Sequence, residues 1–171
     1  MKLKIVSDTH FNHDIIIKRG MRKFDSLQDM NNYIIEKWNR EIKPNDNVIH
    51  LGDFAFGNNF ELIESICKKL NGNITLILGN HDSDYKVKNI YSKYFKCLGS
   101  LCIGDYYFTH EPVHMNVINP NQVRSGDRQA TINIHGHLHN GEYCSDKHIN
   151  YCMDLLGEDF IKELNIEAPS D

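Results

Sequence analysis

The sequence predicts an α/β fold, because short apolar strands alternate with helical segments through its first half. This strand–helix–strand–helix–strand order implies parallel pairing with right-handed crossovers. The length of 171 residues, with 40% hydrophobic and 25% charged residues, suits one compact domain spanning residues 1–171. In the second half, strand segments follow one another, so that the sheet becomes mixed or a second sheet begins.

Three apolar runs in the first half predict strands over Lys2–Val6, Val48–Leu51 and Ile74–Leu78. The second of these runs follows the turn-forming residues Pro44–Asn47. The third run is expected to be buried on both faces of the sheet, because its composition is that of an internal parallel strand.

The spacing of apolar residues predicts two helices between these strands. The first, Ser26–Glu41, begins with a serine that can cap it and carries an apolar stripe that includes Met30 and Trp38. The second, Phe60–Leu70, ends at an Asn-Gly pair. A shorter helical turn is expected over Asp14–Arg19.

The second half of the chain predicts further strands. Leu98–Ile103 and Tyr106–Thr109 flank a Gly-Asp turn, which is typical of a β-hairpin. Thr131–Ile134 and Ile149–Met153 are two more strand segments. These four segments are the ones that make the sheet mixed or form a second sheet.

Composition and charge exclude several classes of protein. The net charge of −4 argues against a protein whose whole surface grips duplex nucleic acid. No apolar stretch approaches the roughly 18 residues of a membrane-spanning helix, and no secretory signal peptide is expected. The 5 cysteines are odd in number and lack a close CxxC pair, which favours a reducing cytoplasmic location over a disulfide framework.

Residue types that bind metals follow directly after successive apolar runs. The five motifs are Asp8-Thr9-His10, Gly52-Asp53, Gly79-Asn80-His81-Asp82, His110 and Gly136-His137-Leu138-His139. Ligand sites in α/β sheets form beyond the carboxyl ends of the strands, so these motifs are expected to meet at one rim. Carboxylate, imidazole and amide ligands without a thiolate fit Mn²⁺, Fe or Zn²⁺. Taken one at a time, each residue is better explained by ordinary turn or capping chemistry, and only their joint occurrence favours metal binding.

In this order the five motifs resemble those of the calcineurin-like metallophosphoesterase superfamily, over residues 5–139. The stretches Asp8–His13, Arg22–Phe24 and His50–Phe54 are similar more narrowly to a branch of small bacterial and phage-type phosphoesterases. The resemblance implies a four-layer αββα sandwich, in which two mixed β-sheets are flanked by helices. It also implies a dinuclear metal site at the carboxyl ends of the strands.

The resemblance further implies two groups of metal ligands that share one bridging carboxylate. One ion would be held by Asp8, His10 and His139 and the other by Asn80, His110 and His137, with Asp53 bridging the two. Two divalent ions are implied, Mn²⁺ in the first place, with Fe, Zn²⁺ and Ni²⁺ as alternatives. In similar enzymes, a hydroxide that bridges the metals attacks phosphorus in line.

The resemblance gives the third motif a catalytic role. His81 would protonate the leaving alkoxide or orient the phosphate, and Asp82 would hold the imidazole in position. The alternatives are a structural turn histidine and an ordinary turn aspartate.

Four further residues are candidates for contact with a substrate phosphate: His13, Arg22, Arg124 and Arg128. The last two lie in Glu111–Ala130, a polar segment whose length is typical of a functional loop. Solvated loop charge is the alternative for these two arginines, and an exposed loop histidine is the alternative for His13.

Two more histidines, His50 and His135, precede motifs within strand segments. Strand alternation turns them away from the neighbouring ligand positions. They are expected to be buried histidines with satisfied hydrogen bonds.

The function expected is hydrolysis of a phosphomonoester or phosphodiester by a cytoplasmic, two-metal enzyme. The chain lacks a basic stripe with interleaved aromatic residues, which favours a small nucleotide-type substrate over extended nucleic acid. The alternatives are a non-catalytic metal-binding interaction module on the same fold and a nuclease acting on short single-stranded nucleic acid. Every motif position is filled, including His81, which favours an enzyme.

Overall fold

The computed structural model describes residues 1–114, 130–141 and 145–166. In chain order the strands are β1 (Lys2–Val6), β2 (Asn47–His50), β3 (Asn73–Ile77), β4 (Lys96–Leu98), β5 (Leu101–Ile103), β6 (Tyr106–Phe108), β7 (Ile132–His135), β8 (His148–Asn150) and β9 (Lys162–Asn165). The helices are α1 (Asp14–Lys18), α2 (Leu27–Glu41), α3 (Phe60–Cys67), α4 (Tyr85–Tyr94) and α5 (Met153–Leu156), with 3₁₀ turns at Asn80–Asp82 and Gly157–Asp159.

Two mixed sheets organise the chain. The larger sheet has the strand order β4-β3-β2-β1-β9, in which β1 to β4 are parallel and β9 runs antiparallel to β1. The smaller sheet has the order β5-β6-β7-β8, with an antiparallel β5–β6 hairpin and parallel pairs beyond it. The predicted parallel pairing of the first half is therefore confirmed.

The predicted helices form where their caps and apolar stripes place them. Ser26 is the N-cap of α2, and its hydroxyl accepts the N–H of Asp29 at 3.1 Å. Met30 and Trp38 are fully buried, so the predicted stripe of α2 packs in the core. The sequence did not predict α4, whose N-cap Asp84 accepts two backbone N–H groups.

Two apolar cores separate the layers. The first lies between the helices and the larger sheet, and each of the five described helices contributes to it. The second lies between the two sheets. Neighbouring residues on one strand enter different cores, as Leu76 and Ile77 do on β3, because successive side chains point to opposite faces. The prediction that this strand is covered on both faces is confirmed.

The predicted strand Leu98–Ile103 is wrong as a single element. The chain turns at Gly99-Ser100, so that β4 ends in the larger sheet and β5 begins in the smaller one. Apart from the glycine, nothing in this apolar run indicates that the chain passes from one sheet to the other. The edge strand β9 was also not predicted, because only part of its length is apolar.

The predicted class, two mixed β-sheets flanked by helices, is confirmed. In the described part of the chain the helices pack on the larger sheet, and the fourth layer of the sandwich stays a prediction. None of the helices among the described residues is long and apolar enough to cross a membrane.

Candidate metal centre

The five motifs meet at one edge of the molecule, where the strands of both sheets end. Backbone hydrogen bonds tie the first two motifs together, since the N–H groups of Asp8 and His10 donate to the carbonyls of Gly52 and Asp53, each at 3.0 Å. The fourth and fifth motifs join in the same way, with Gly136 N donating to His110 O at 3.0 Å. The expected convergence at the carboxyl ends of the strands is therefore present in the structure.

Four of these residues have an unusual backbone conformation. Asp8, His10, Asp53 and His137 have φ angles of 55°, 46°, 52° and 66°, in the left-handed region that non-glycine residues rarely adopt. Such a conformation costs on the order of 1 kcal/mol or more and persists only where the surroundings enforce it. The turns after the strands thus aim these side chains inward at a conformational cost, which is typical of a functional site.

The side chains gather into two groups of potential metal ligands. Asp8, His10 and His139 form one group, and Asp53, His110 and His137 form the other, with the ligand atoms of each group within 4.8 Å of one another. The amide oxygen of Asn80 lies 3.0 Å from His110 Nε2 and so adjoins the second group. The structure brings together all seven of the expected ligands.

Asp53 occupies the position between the two groups. Its Oδ2 lies 3.6 Å from His10 Nε2 in one group and 3.4 Å from His110 Nε2 in the other. Its Oδ1 accepts the N–H of His81 at 2.9 Å, which fixes the orientation of the carboxylate. This is the geometry expected of a carboxylate that bridges two ions.

His110 tests whether the site fits a metal ion. Its Nδ1 lies 2.8 Å from the carbonyl oxygen of Leu51, which can only accept, so Nδ1 carries the proton. In the neutral ring Nε2 is then an acceptor, yet it faces the oxygens of Asn80 and Asp53 at 3.0 and 3.4 Å. His137 Nδ1 also lies 3.1 Å from this nitrogen, so Nε2 is surrounded by groups that a proton on the ring or a metal ion would hold together.

The electrostatics of this pair agree with that reading. Burial disfavours the charged imidazole, but the hydrogen bond and charge of Asp53 raise the pKa of His110 to about 9. Burial alone would raise the pKa of Asp53, but the hydrogen bond and charge of His110 hold it well below its usual range. The positive charge of the His110 ring therefore lies at the place where a metal ion would sit.

His10 gives a second test. Its Nε2 is buried and has no hydrogen-bond partner among the described residues, which is rare for a buried polar atom. Burial and neighbouring positive charges lower the pKa of His10 to about 2, although Asp53 opposes this, so the ring is neutral. An unpartnered, neutral imidazole nitrogen that faces two carboxylates is a free ligand atom for a divalent cation.

Two glycines make room for the carboxylates. A Cβ at Gly79 would overlap the carboxylate of Asp53, and a Cβ at Gly136 would overlap Ser7 Oγ and Asp8 Oδ2. The carboxylate of Asp8 is held by Ser7 Oγ at 2.6 Å and by His137 N at 3.0 Å. The motif glycines are thus needed for close approach between the motifs.

The structure corrects the role predicted for Asp82. Its Oδ2 accepts the N–H groups of Asp53 and Gly79 at 2.8 and 2.9 Å, and its Oδ1 accepts that of Phe54 at 3.1 Å. Burial raises the pKa of Asp82 to about 6, although these backbone hydrogen bonds oppose it. Its partners are backbone amides, so Asp82 positions the loop that carries Asp53 rather than the ring of His81.

His81 and His13 lie at the open side of the ligand cluster. His81 is exposed, and its Nε2 lies 3.9 Å from Asp53 Oδ2. His13 stacks on Phe56 with ring centroids 4.1 Å apart, and the edge of His81 meets the same phenyl ring at 5.1 Å. The two histidines and Phe56 thus pack together beside the potential ligands, and Phe56 is a neighbour that the sequence did not predict.

Arg22 lies beneath the cluster and not in its open side. It is 7% exposed, and its guanidinium donates to the backbone carbonyls of Asp8 and Thr9, each at 2.6 Å. It also donates to both carboxylate oxygens of Asp154, at 2.6 and 3.1 Å. The substrate contact expected of Arg22 is replaced by contacts within the protein, which occupy Nε, Nη1 and Nη2. Arg124 and Arg128 lie outside the described residues.

Asp154 is a residue of this site that the sequence analysis does not single out. Its Oδ2 lies 2.5 Å from Nδ1 of His139, one of the expected ligands. A signal was available, because Asp154 directly follows the apolar run Ile149–Met153, as the other motifs follow theirs.

The two strand histidines differ from each other. His50 is fully buried and uses both nitrogens, on Thr9 Oγ1 at 3.0 Å and on Gly52 N at 3.2 Å, so the prediction for it is confirmed. His135 is also fully buried, with Nδ1 2.9 Å from Gly136 O. Its Nε2 has no partner among the described residues, so the prediction of a satisfied histidine is wrong at that atom.

Comparison with known proteins bears on this geometry. The calcineurin-like phosphoesterase superfamily domain matches residues 1–153. An uncharacterized protein of Methanocaldococcus jannaschii is 40% identical over 82 residues, which are 47% of this chain and 47% of that protein. The chain thus aligns with about half of the length of this curated relative.

Two solved structures are similar in fold. A protein of unknown function from Aquifex aeolicus has a TM-score of 0.71 and 25% identity, over 95% of both chains. A novel archaeal phosphodiesterase has 25% identity over 89% of this chain and 84% of its own, with a TM-score of 0.48, too low to bear on function. The match of the superfamily domain covers most of the chain, and the ligand types and strand-end positions agree with it. The chain belongs to the calcineurin-like phosphoesterase superfamily.

Proposed function

We propose that this protein hydrolyses a phosphomonoester or phosphodiester with two divalent ions, Mn²⁺ first among them. The observation that carries the proposal is the position of Asp53, whose Oδ2 lies within 3.6 Å of imidazole nitrogens from both ligand groups. A carboxylate placed in this way lets two ions sit close enough to act on one phosphate group. Asp8, His10 and His139 would hold one ion, and Asn80, His110 and His137 the other.

The metal ions and the protein would have different tasks in this reaction. Bound divalent ions would neutralise phosphate charge and make water a nucleophile at neutral pH. The protein fixes the ligands by burial, by left-handed turns and by Asp82, which holds the loop of Asp53. His10 presents a neutral ring nitrogen because burial lowers its pKa, whereas His110, whose Nδ1 proton is held by the Leu51 carbonyl, would give up its Nε2 proton to an ion.

His81 is proposed as the proton donor to the leaving alkoxide. It is exposed on the open side of the ligand cluster, and its backbone N–H is anchored to Asp53 Oδ1 at 2.9 Å. The backbone of His81 is therefore held in place, while its ring is free to reach a bound phosphate ester. A positioned acid of this kind contributes about 100- to 10,000-fold to the rate.

A small nucleotide-type substrate fits the space beside the ligands. A cavity of about 440 Å³ adjoins Asn80 and His110 and is bordered by Ser100, Tyr107 and Glu111. Its size falls within the roughly 300–1,000 Å³ of pockets for small ligands. The Tyr107 hydroxyl donates to Ser100 Oγ at 3.1 Å, and both are exposed or half-buried groups that can bind a polar substituent.

The test is a substrate screen on protein stripped of metal and reloaded with Mn²⁺, Fe²⁺, Zn²⁺ or Ni²⁺ in separate samples. The substrates are p-nitrophenyl phosphate, bis(p-nitrophenyl) phosphate, cyclic nucleotides and a short single-stranded DNA. The variant His137→Ala, purified in the same way, controls for a contaminating phosphatase. Turnover that requires metal and is lost in His137→Ala supports the proposal.

One result would overturn it. Native protein that binds two ions per chain but hydrolyses none of these substrates with any of the metals would be a metal-binding interaction module. Turnover of single-stranded DNA alone would show instead a nuclease, and the small-substrate part of the proposal would be wrong.

A further inference from the structure

A chain of buried contacts runs from the arginine beneath the metal centre to one of its ligands. Nδ1 of His139 lies 2.5 Å from Asp154 Oδ2. Arg22 donates from Nε to Asp154 Oδ1 at 2.6 Å and from Nη2 to Oδ2 at 3.1 Å. The Arg22 and Asp154 side chains are 5% and 7% exposed. Solvent therefore screens this pair far less than an ion pair on the surface.

The same guanidinium also holds the first motif. Nη1 donates to the carbonyl of Thr9 and Nη2 to that of Asp8, each at 2.6 Å. These carbonyls lie within the stretch in which Asp8 and His10 adopt positive φ angles. Arg22 thus connects the strained turn that carries two ligands with the carboxylate that contacts a third.

We propose that Asp154 and Arg22 are positioning residues of the metal site that uses Asp8, His10 and His139. Asp154 accepts a hydrogen bond from His139 Nδ1, which places the proton on that atom and leaves Nε2 as the ligand atom. Arg22 orients Asp154 and holds the backbone of Asp8 and Thr9. The proposal deepens the proposed function, since it concerns the same metal site.

The tautomer is the physical core of the proposal. An ionised carboxylate only accepts, so a histidine that meets it at 2.5 Å must donate from Nδ1. Nε2 of His139 then carries the lone pair, and it is the atom that faces Asp8 Oδ1, at 4.0 Å. A carboxylate on the far nitrogen of a ligand histidine fixes the ring and its protonation, and its loss costs about 10- to 100-fold in metal affinity.

A different use of these residues is disfavoured by their contacts. Cys152 Sγ lies 3.5 Å from the same Nδ1, so His139, Cys152 and Asp154 also form a cluster of potential ligands. Arg22 already donates to both oxygens of Asp154, however, and a cation at that place would lie against a guanidinium. The cluster therefore serves the ligand histidine and is not a separate metal site.

The variant Asp154→Asn keeps the size of the side chain but changes its hydrogen bonds, so it tests the positioning role separately from packing. An asparagine has one oxygen and one NH₂ group, whereas Arg22 and His139 both donate toward this side chain. If the NH₂ group faces His139, the proton of the ring must move to Nε2 and the ligand atom is lost. If it faces Arg22, the NH₂ group and the guanidinium are both donors. The contact that links residue 154 through Arg22 to the first motif is then lost.

The measurement is direct titration of metal-free protein with Mn²⁺ by calorimetry and with Co²⁺ by visible absorption. In Asp154→Asn, one of two ions is expected to bind about 10- to 100-fold more weakly, with the other unchanged. Arg22→Lys keeps the charge but not the planar fork, and it is expected to weaken the same ion. The control is Glu163→Gln, which removes an exposed carboxylate paired with Lys2 and Lys4, and it is expected to bind both ions as the native protein does.

Urea unfolding of the metal-free variants excludes a merely structural role. Lower stability of the metal-free protein, with both ions still bound at native affinity, would overturn the proposal. If Asp154→Asn does not fold, Arg22→Lys carries the same measurement. Native protein that binds two ions without turnover would contradict the proposed function. The titration would still test the positioning role, because it measures metal affinity and not activity.

Discussion

The carboxylate of Asp82 accepts the backbone N–H of Asp53 at 2.8 Å, so one buried acid fixes the position of another. The same carboxylate also accepts the N–H groups of Phe54 and Gly79. The second and third motifs are thereby joined through a side chain that belongs to neither group of potential ligands. This contact explains why an acid follows His81 without orienting its ring.

We expect Asp82→Ala to destabilise the metal-free protein by about 3 kcal/mol, because three backbone N–H groups lose a charged acceptor in a buried place. Urea unfolding with circular dichroism measures the change. The matched control is Asp84→Ala, which removes the exposed N-cap of α4 and is expected to cost about 1 kcal/mol. Native stability in Asp82→Ala, with a rate loss like that of His81→Ala, would restore the orienting role.

Alanine variants at His81 and His137 are expected to separate catalysis from metal binding. His81→Ala should lower kcat by about 100- to 10,000-fold while two ions remain bound, because its ring lies outside both ligand groups. His137→Ala should lose one ion as well as activity, since His137 belongs to the group of Asp53 and His110. Metal content by mass spectrometry and steady-state kinetics together give the result. If His81→Ala lost an ion and His137→Ala did not, His81 would be the metal ligand and the two assignments would be reversed.

Gly136→Ala is expected to disrupt the site by steric overlap. The added methyl group would meet Ser7 Oγ and Asp8 Oδ2, both held in a buried hydrogen bond, so the first motif must shift. We expect loss of stability of about 1–3 kcal/mol and weaker binding of the ion near Asp8. Gly99→Ala is the control, because a Cβ there meets nothing within 4 Å. Equal effects of the two substitutions would contradict the steric account.

Position relative to strand ends is what the sequence could convey about this site. Asp8, Asp53 and His137 each follow an apolar run, and parallel strands bring such residues to one edge whatever their separation in the chain. The helix stripe of Met30 and Trp38 was equally readable, because burial imposes its period on the sequence.

Contacts between distant segments could not be read in the same way. Arg22 and Asp154 lie 132 residues apart, and nothing in the local sequence of either residue shows that they meet. The division of Leu98–Ile103 between two sheets was hidden for a related reason, since both halves are apolar and both sheets share one core. Which partner a buried side chain finds depends on tertiary packing, and a single sequence carries that only through family motifs.

Acid sensitivity is the last expectation, and it rests on His50. Burial, together with the charge of His110, lowers the pKa of His50 to about 3. Its Nδ1 accepts the N–H of Gly52 and Nε2 donates to Thr9 Oγ1, so the folded protein holds the neutral ring. The unfolded chain binds the extra proton below about pH 6.5. Stability from this residue is therefore complete above pH 6.5 and is lost as the pH falls toward 3.

The expected slope is about 1.4 kcal/mol of unfolding free energy for each pH unit in that window. Urea unfolding of metal-free protein between pH 7 and pH 4 measures it, and His50→Gln supplies the comparison because glutamine does not titrate. The difference between native protein and His50→Gln should shrink as the pH falls. A difference that stays constant across this range would show that His50 is protonated as readily in the folded state as in the unfolded chain, contrary to its burial and its two hydrogen bonds.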